Sequence, residues 1–353
     1  MLKRATALFF ITASIATWVG CNTTTNRYLY AAIPGADQLV AYREDPNSGV
    51  LTVLAGSPIT AGPAVQSIVI HPSKKFLYVA NSGEGDISLF TISSTGGLTE
   101  KTPRTAAGTV PTVLALDAAG GFLYAANAGS DSISVFSVDP DLGTLSPVGP
   151  PYTIGIVPLN MKLSPSGTVL YVTGAGSPGY IEAFTLTSGI PTLVTGSPFQ
   201  TGTNPHGLAI DPSGTHLYTA NTSDNSISAF SINSDGSLTQ LSGSPIGESF
   251  FSPLGMLVDN SGKYLYVANE GSTNLSGYAI GSDGGLTLLT NSPFTTASEP
   301  SFIATDPTGK YLFVGNQAGP AIQSFLLDGS TGTLTSVASY SVGNTPASIA
   351  VTP

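Results

Sequence analysis

The sequence predicts an all-β fold, a seven-bladed β-propeller of four-stranded antiparallel blades. Three observations carry that expectation. One apolar pair recurs at near-constant spacing, the composition favours short strands and tight turns, and the two ends of the repeat region complement each other.

The recurrent pair is Leu29-Tyr30, Leu77-Tyr78, Leu123-Tyr124, Leu170-Tyr171, Leu217-Tyr218, Leu265-Tyr266 and Leu312-Phe313, at steps of 48, 46, 47, 47, 48 and 47 residues. Each unit carries four strand signals. The first is apolar and follows a proline, as in Gly207 to Ile210; the second is the Leu-Tyr run. The third alternates, as in Ser226-Ile227-Ser228-Ala229-Phe230, and the fourth follows Gly-x-Leu, as in Gly236-Ser237-Leu238. Asp211-Pro212-Ser213-Gly214 and Asp306-Pro307-Thr308-Gly309 join first to second strands, with the Asp side chain free to bond the turn backbone and the Pro presetting φ. The inner strands lack polar alternation because both of their faces pack on neighbouring blades.

Composition agrees. Hydrophobic residues make up 41% and charged residues 9% of the 353, with 41 Gly and 26 Pro spread along the chain. No sustained helical periodicity occurs beyond the N-terminus. The repeat region starts on a second strand, Tyr28 to Ala32, and leaves on a first strand, Ala347 to Val351. The last strand is therefore expected to complete the blade that the N-terminus begins, which removes unpaired sheet edges. The propeller is expected to span 27–353 as one domain.

Ahead of it, Lys3 and Arg4 precede an apolar run from Ala5 to Val19, and Gly20 stands directly before Cys21, the chain's single cysteine. Residues 1–20 resemble a bacterial lipoprotein signal peptide. That likeness implies export, lipidation of Cys21, a tether over 21–26 and a membrane-anchored protein of the cell envelope. Trp18 stands where such signals usually carry Leu, so an uncleaved membrane anchor is the alternative. With one cysteine no intramolecular disulfide can form. A formal net charge of -10 argues against nucleic acid, and a monomer is expected.

Strand order also gathers candidate site residues. The links from an outermost strand to the next innermost one, and from second to third strands, open on one face of the disc. His206 and Glu299 fall in the first kind of link; Glu270, Gln317, Glu84 and Asp224 fall in the second, so all six are expected around one mouth of the channel. His71 replaces a turn Asp and His216 precedes a second strand, so both read as structural or solvated. Asn81, Asn127, Asn221, Asn269 and Asn316 recur at the end of the second strand, which suggests a turn-capping duty through local backbone bonds. Lys162 occupies an inner-strand place that is Val69, Ala115, Ala209, Leu257, Ala304 and Ala350 elsewhere. Such a charge needs a carboxylate or the channel interior, and structural pairing and ligand contact both remain open.

Runs such as Asn233-Ser234-Asp235-Gly236-Ser237 and Asp139-Pro140-Asp141-Leu142-Gly143 lack the full ligand series of a calcium loop and read as hairpin turns, so no metal is expected. There is no Gly-x-Ser-x-Gly elbow, phosphate loop or His/Cys cluster, which argues against a covalent or metal hydrolase, and no cofactor is expected. Arg27, Arg43 and Arg104 are the only arginines from Cys21 onward, and none is expected at the mouth; a phosphorylated substrate is poorly supported.

The Leu-Tyr-Val-Ala-Asn run at 77–81 and 265–269 and the Asp-Pro-Ser/Thr-Gly turns resemble the lactonase-type seven-bladed propellers, which include 6-phosphogluconolactonase-like proteins and Tyr-Val-Thr-Asn repeats. The resemblance implies hydrolysis of a lactone, with His206 of Pro205-His206 and Glu270 of Asn269-Glu270 as catalytic pair. It also implies Gln317 and Asn204 orienting the carbonyl; apart from the resemblance, Glu299 by its link and Lys162 by its inner-strand place are candidate ligand contacts. Where the family has Arg-His in the next inner strand, this chain has Leu254-Gly255 after Pro253. The alternative is a non-catalytic cell-envelope propeller that binds a carbohydrate or a protein partner.

Overall fold

The computed structural model describes residues 26–247, 251–318 and 321–353; the leader and Cys21 lie outside them. Seven antiparallel sheets follow one another around a central channel. Their inner strands, from blade two to blade seven, are Val65–Ile70, Pro111–Leu116, Pro158–Leu163, Pro205–Ile210, Pro253–Val258 and Pro300–Thr305. Among the described residues the only helical segment is the three-residue 3-10 turn Pro34–Ala36, so no helix there is long and apolar enough to cross a membrane.

Blade one combines the chain ends as expected. Arg27–Ile33, Gln38–Glu44 and Leu51–Val53 supply three strands, and Ser348–Val351 adds the inner one, with Leu29 opposite Val351 and Ala32 opposite Ser348. Thr352 Oγ1 accepts the Tyr28 amide at 3.0 Å, so the start of the described chain lies beside its end.

Four blades depart from four continuous strands, because the outermost strand breaks and a two-residue piece returns to pair with the third. A Ser-Pro pair sits at each break in blades one, four and six. There the hydroxyls of Ser57, Ser197 and Ser292 accept the third-strand amides of Ala41, Ala183 and Gly277 at 2.9–3.0 Å, which satisfies groups that the broken ladder would otherwise leave open.

The Leu-Tyr repeat has two jobs. Leu77, Leu123, Leu170, Leu217, Leu265 and Leu312 are fully buried between blades. The tyrosines reach sideways: Tyr30, Tyr78, Tyr171, Tyr218 and Tyr266 donate to the carbonyls of Gly96, Gly143, Gly236, Gly284 and Gly332 at 2.7–3.0 Å. Each glycine lies in the outer hairpin of the next blade, so the Gly-x-Leu signal and the Leu-Tyr signal are two ends of one inter-blade bond. Gly284 has φ +80°, and a Cβ there would lie 2.2 Å from the His216 ring.

The repeated Asn acts differently from expectation. Its amide donates mainly to third-strand side chains: Asn81 to Asp86 and Ser88, Asn221 to Ser226 and Ser228, and Asn269 to Asn274 and Ser276, at 2.7–2.9 Å. Asn127 bonds Ser132 and Ser134 and in addition takes the Gly108 amide at 3.1 Å. The polar positions of the alternating third strand are therefore buried partners of the second strand. The turn Asp behaves as expected, Asp211 accepting the amides of Thr215 and His216 at 2.8 and 3.0 Å. His71 stands in for it, with Nε2 3.0 Å from the Gly120 carbonyl, and His216 Nδ1 lies 3.1 Å from Asp211, so both are structural.

Candidate functional site

The rim of the channel is built from three successive backbone devices. The residue before the inner strand takes a left-handed conformation in five blades: Ala64, Val110, Asn204, Ser252 and Glu299, at φ 50–56°. Its carbonyl accepts the amide of the residue after the second strand's Asn, as in Thr222 to Asn204, Glu270 to Ser252 and Gln317 to Glu299, at 2.7–3.1 Å. Next, pairing with the second strand slips at the start of every one of these inner strands, between Pro205 and Gly207 for instance. A bulge re-aims the side chain it carries, and in blade five that side chain is His206. Gly207 then lets the next inner strand close in: a Cβ there would stand 2.4 Å from the Leu254 carbonyl.

A cavity of about 990 Å³ results, lined among others by His206, Glu270, Gln317 and Lys162. These four come from blades five, six, seven and four, so, with Asn160 of blade four, one side of the channel carries all of the strongly polar lining but Gln66. The His206 ring, the Glu270 carboxylate and the Gln317 amide make no hydrogen bond or ion pair with any described residue. Burial lowers the His206 pKa from its ordinary 6.5, which favours the neutral ring. Burial, helped by the charge of Glu299, raises that of Glu270 above 4.5. Asn160 steadies the arc from blade four, its amide donating to the His206 carbonyl at 2.7 Å.

The other expected residues are placed elsewhere on this face. The Asn204 amide is engaged with the Gly176 amide at 3.2 Å and the Ser223 hydroxyl at 2.9 Å, and it does not line the cavity. Glu299 is exposed on the rim and acts on the site through its carbonyl and its charge. Asp224 accepts the Thr203 amide. Glu84 is bound by Arg104 at 2.8 Å; the same guanidinium holds Glu100 at 2.8 Å and does not line the channel cavity. Sequence reasoning missed Gln66, Thr112 and Asn160 as lining residues. Gln66 and Thr112 occupy the bulged place that His206 has in blade five, a signal that could have found them.

With a neutral imidazole, a carboxyl and an amide in one cavity, none bonded to another described residue, the arrangement can take a proton from water, steady the resulting cation and hydrogen-bond an oxyanion. The chain matches the family model described as lactonase, 7-bladed beta-propeller, over residues 60–156, 156–244 and 252–351. No curated protein matches it. Among solved structures it resembles a Bacteroides fragilis protein provisionally assigned as a 6-phosphogluconolactonase, with TM-score 0.81 and 21% identity over 94% of this chain and 99% of that one. The periplasmic gluconolactonase of Pseudomonas aeruginosa gives TM-score 0.76 and 20% identity over 93% and 99%. Hydrazine synthase of Kuenenia stuttgartiensis gives TM-score 0.64 and 21% identity over 84% and 92%. At such identities the likeness is one of fold.

Proposed function

Since the chain belongs to the lactonase family of seven-bladed β-propellers, we propose that it hydrolyses a lactone at the channel mouth. The observation that carries this reading is the trio of His206, Glu270 and Gln317 in one cavity, with no side-chain bond to any described residue. Neutral His206 takes a proton from water, and the hydroxide attacks the ring carbonyl. Gln317 donates to the oxyanion that forms, and Glu270 steadies the imidazolium. Collapse breaks the ring C–O bond, His206 returns its proton to the departing alkoxide, and the product is the open hydroxy acid. Lactone plus water thus balances the product with no cofactor.

Hydrolysis of a panel of γ- and δ-lactones by the purified protein, beside His206→Ala, tests it. Turnover that falls at least a hundredfold in the variant supports the assignment; no turnover above background, or an unaffected variant, defeats it. Leu254-Gly255 in place of the family's Arg-His favours a second reading, in which the face binds a carbohydrate or an envelope protein without catalysis. Glycan arrays and envelope pull-downs with no partner would count against that one.

The leader supports export and anchoring through lipidated Cys21. Incorporation of labelled palmitate, lost in Cys21→Ser, is the expected result.

A further inference from the structure

Lys162 is the fifth residue of its six-residue inner strand and lines the cavity that holds His206. It is half-buried, at the wall of the channel. It makes no hydrogen bond or ion pair with any described residue, and burial alone, with no neighbouring charge, acts on its pKa, lowering it. An ammonium group there lacks the counter-charge that buried cations ordinarily have. The six equivalent places in the other blades are Val69, Ala115, Ala209, Leu257, Ala304 and Ala350, so the lysine is a local departure from an apolar layer.

His206 is the second residue of its strand. Three residues separate the two levels, so Lys162 lies roughly 10 Å deeper along the channel at the usual strand rise. The lining near and between these levels combines apolar Leu159, Met161, Leu208, Leu254 and Met256 with uncharged polar Gln66, Ser67, Thr112, Asn160 and Ser301, so Lys162 is the one cation in it. No arginine lines the cavity, while Glu270 already contributes a carboxyl. One ammonium matches one carboxylate; a phosphate dianion would leave excess negative charge in a space of low polarity.

We propose that the channel binds an amphipathic monocarboxylate, its apolar chain along the mid-channel layer and its carboxylate paired with Lys162. Joined to the hydrolase reading, on which only the ring end of the ligand rests, this makes the substrate a lactone whose apolar side chain ends in a carboxylate.

Calorimetric titration with octanoate as probe, beside 1-octanol and inorganic phosphate, tests the site on the protein and on Lys162→Met and Lys162→Arg. Octanoate is expected to bind the native protein at least tenfold more tightly than octanol or phosphate. It should bind Lys162→Met at least tenfold more weakly and Lys162→Arg within a few-fold. Absent octanoate binding, equal affinity for octanoate and octanol, tighter phosphate binding, or a Met variant as tight as native overturns the proposal. If the Met variant fails to fold, the comparison of the three probes on native protein still decides. Octanoate binding by a protein that opens no lactone would uphold this site and sink the hydrolase reading; lactone turnover without octanoate binding would do the reverse.

Discussion

Arg27 Nη1 lies 2.6 Å from Asp306 Oδ2, joining the first strand of the chain to the turn that opens the outer part of blade seven. Glu44, 1% exposed, shares the same guanidinium at 3.5 Å. Asp306 also accepts the Tyr311 amide at 2.8 Å and the Thr308 hydroxyl, so it holds the closer place. The seam between the blade made of both chain ends and the blade before it thus has a charged lock. Arg27→Ala leaves two carboxyls without their cation and should lower stability by about 3–5 kcal/mol. A calorimetric melt that leaves the midpoint unchanged would contradict this role.

The same lock carries a pH dependence. Burial and the neighbouring Asp306 charge raise the Glu44 pKa from 4.5 to about 7, against the pull of Arg27. Between these values the folded chain binds a proton that the unfolded chain has released, so this contribution is full below pH 4.5 and is lost as pH rises through 7. Glu44→Gln should therefore flatten stability between pH 5 and 8, and melts across that range read it directly. A wild-type midpoint that rises with pH, with the variant parallel to it, would be the opposite sign.

Removal of residues 345–353 should open blade one. The four-residue pairing of Ser348–Val351 with Leu29 to Ala32 goes, at about 1 kcal/mol for each net hydrogen bond. The midpoint is expected to fall by roughly 10 °C, with the exposed edge promoting association visible by light scattering. A monodisperse, equally stable product would show that ring closure needs no clasp.

Tyr218→Phe deletes the donor to the buried Gly284 carbonyl, 2.9 Å away, without changing the ring's packing. The unsatisfied carbonyl should cost about 1–3 kcal/mol. Denaturant titration of this variant beside Tyr266→Phe, which loses the matching bond to Gly332, should give similar values, since the two contacts are equivalent in successive blades.

The blade count and the ring closure were readable in sequence because the first rests on a local signal repeated seven times, the Leu-Tyr or Leu-Phe pair, and the second on which strands stand at the two ends of the repeat region. The channel mouth was readable only in part. Strand order brought His206, Glu270 and Gln317 to one face, yet it treated Glu299 alike with them, and the family likeness did the same for Asn204. What separates the two groups is the left-handed residue followed by a bulge, a backbone device with no periodic signature, because Ala64, Val110, Asn204, Ser252 and Glu299 share no side-chain chemistry. The seam was hidden for another reason. Glu44 reads as an ordinary polar end of a strand, and the residue that raises its pKa lies far along the chain at Asp306.

Hydrolysis should also report the site's ionisations. His206 must be neutral to accept a proton, and its pKa lies below 6.5, while Glu270 must be ionised and its pKa lies above 4.5. The rate constant kcat/KM should therefore fall on the acid side through these two groups and level off once His206 is neutral and Glu270 ionised. His206→Ala should lose its share of that limb along with most of the rate.

The most direct test of chemistry at the mouth is a crystal structure with a lactam analogue of whichever lactone is turned over, since a lactam ring resists hydrolysis. The account predicts the ring between the blades that carry His206, Glu270 and Gln317, with its carbonyl oxygen within hydrogen-bond distance of the Gln317 amide. A lactam bound on the opposite face of the disc, or on the outer strands away from His206, would contradict it.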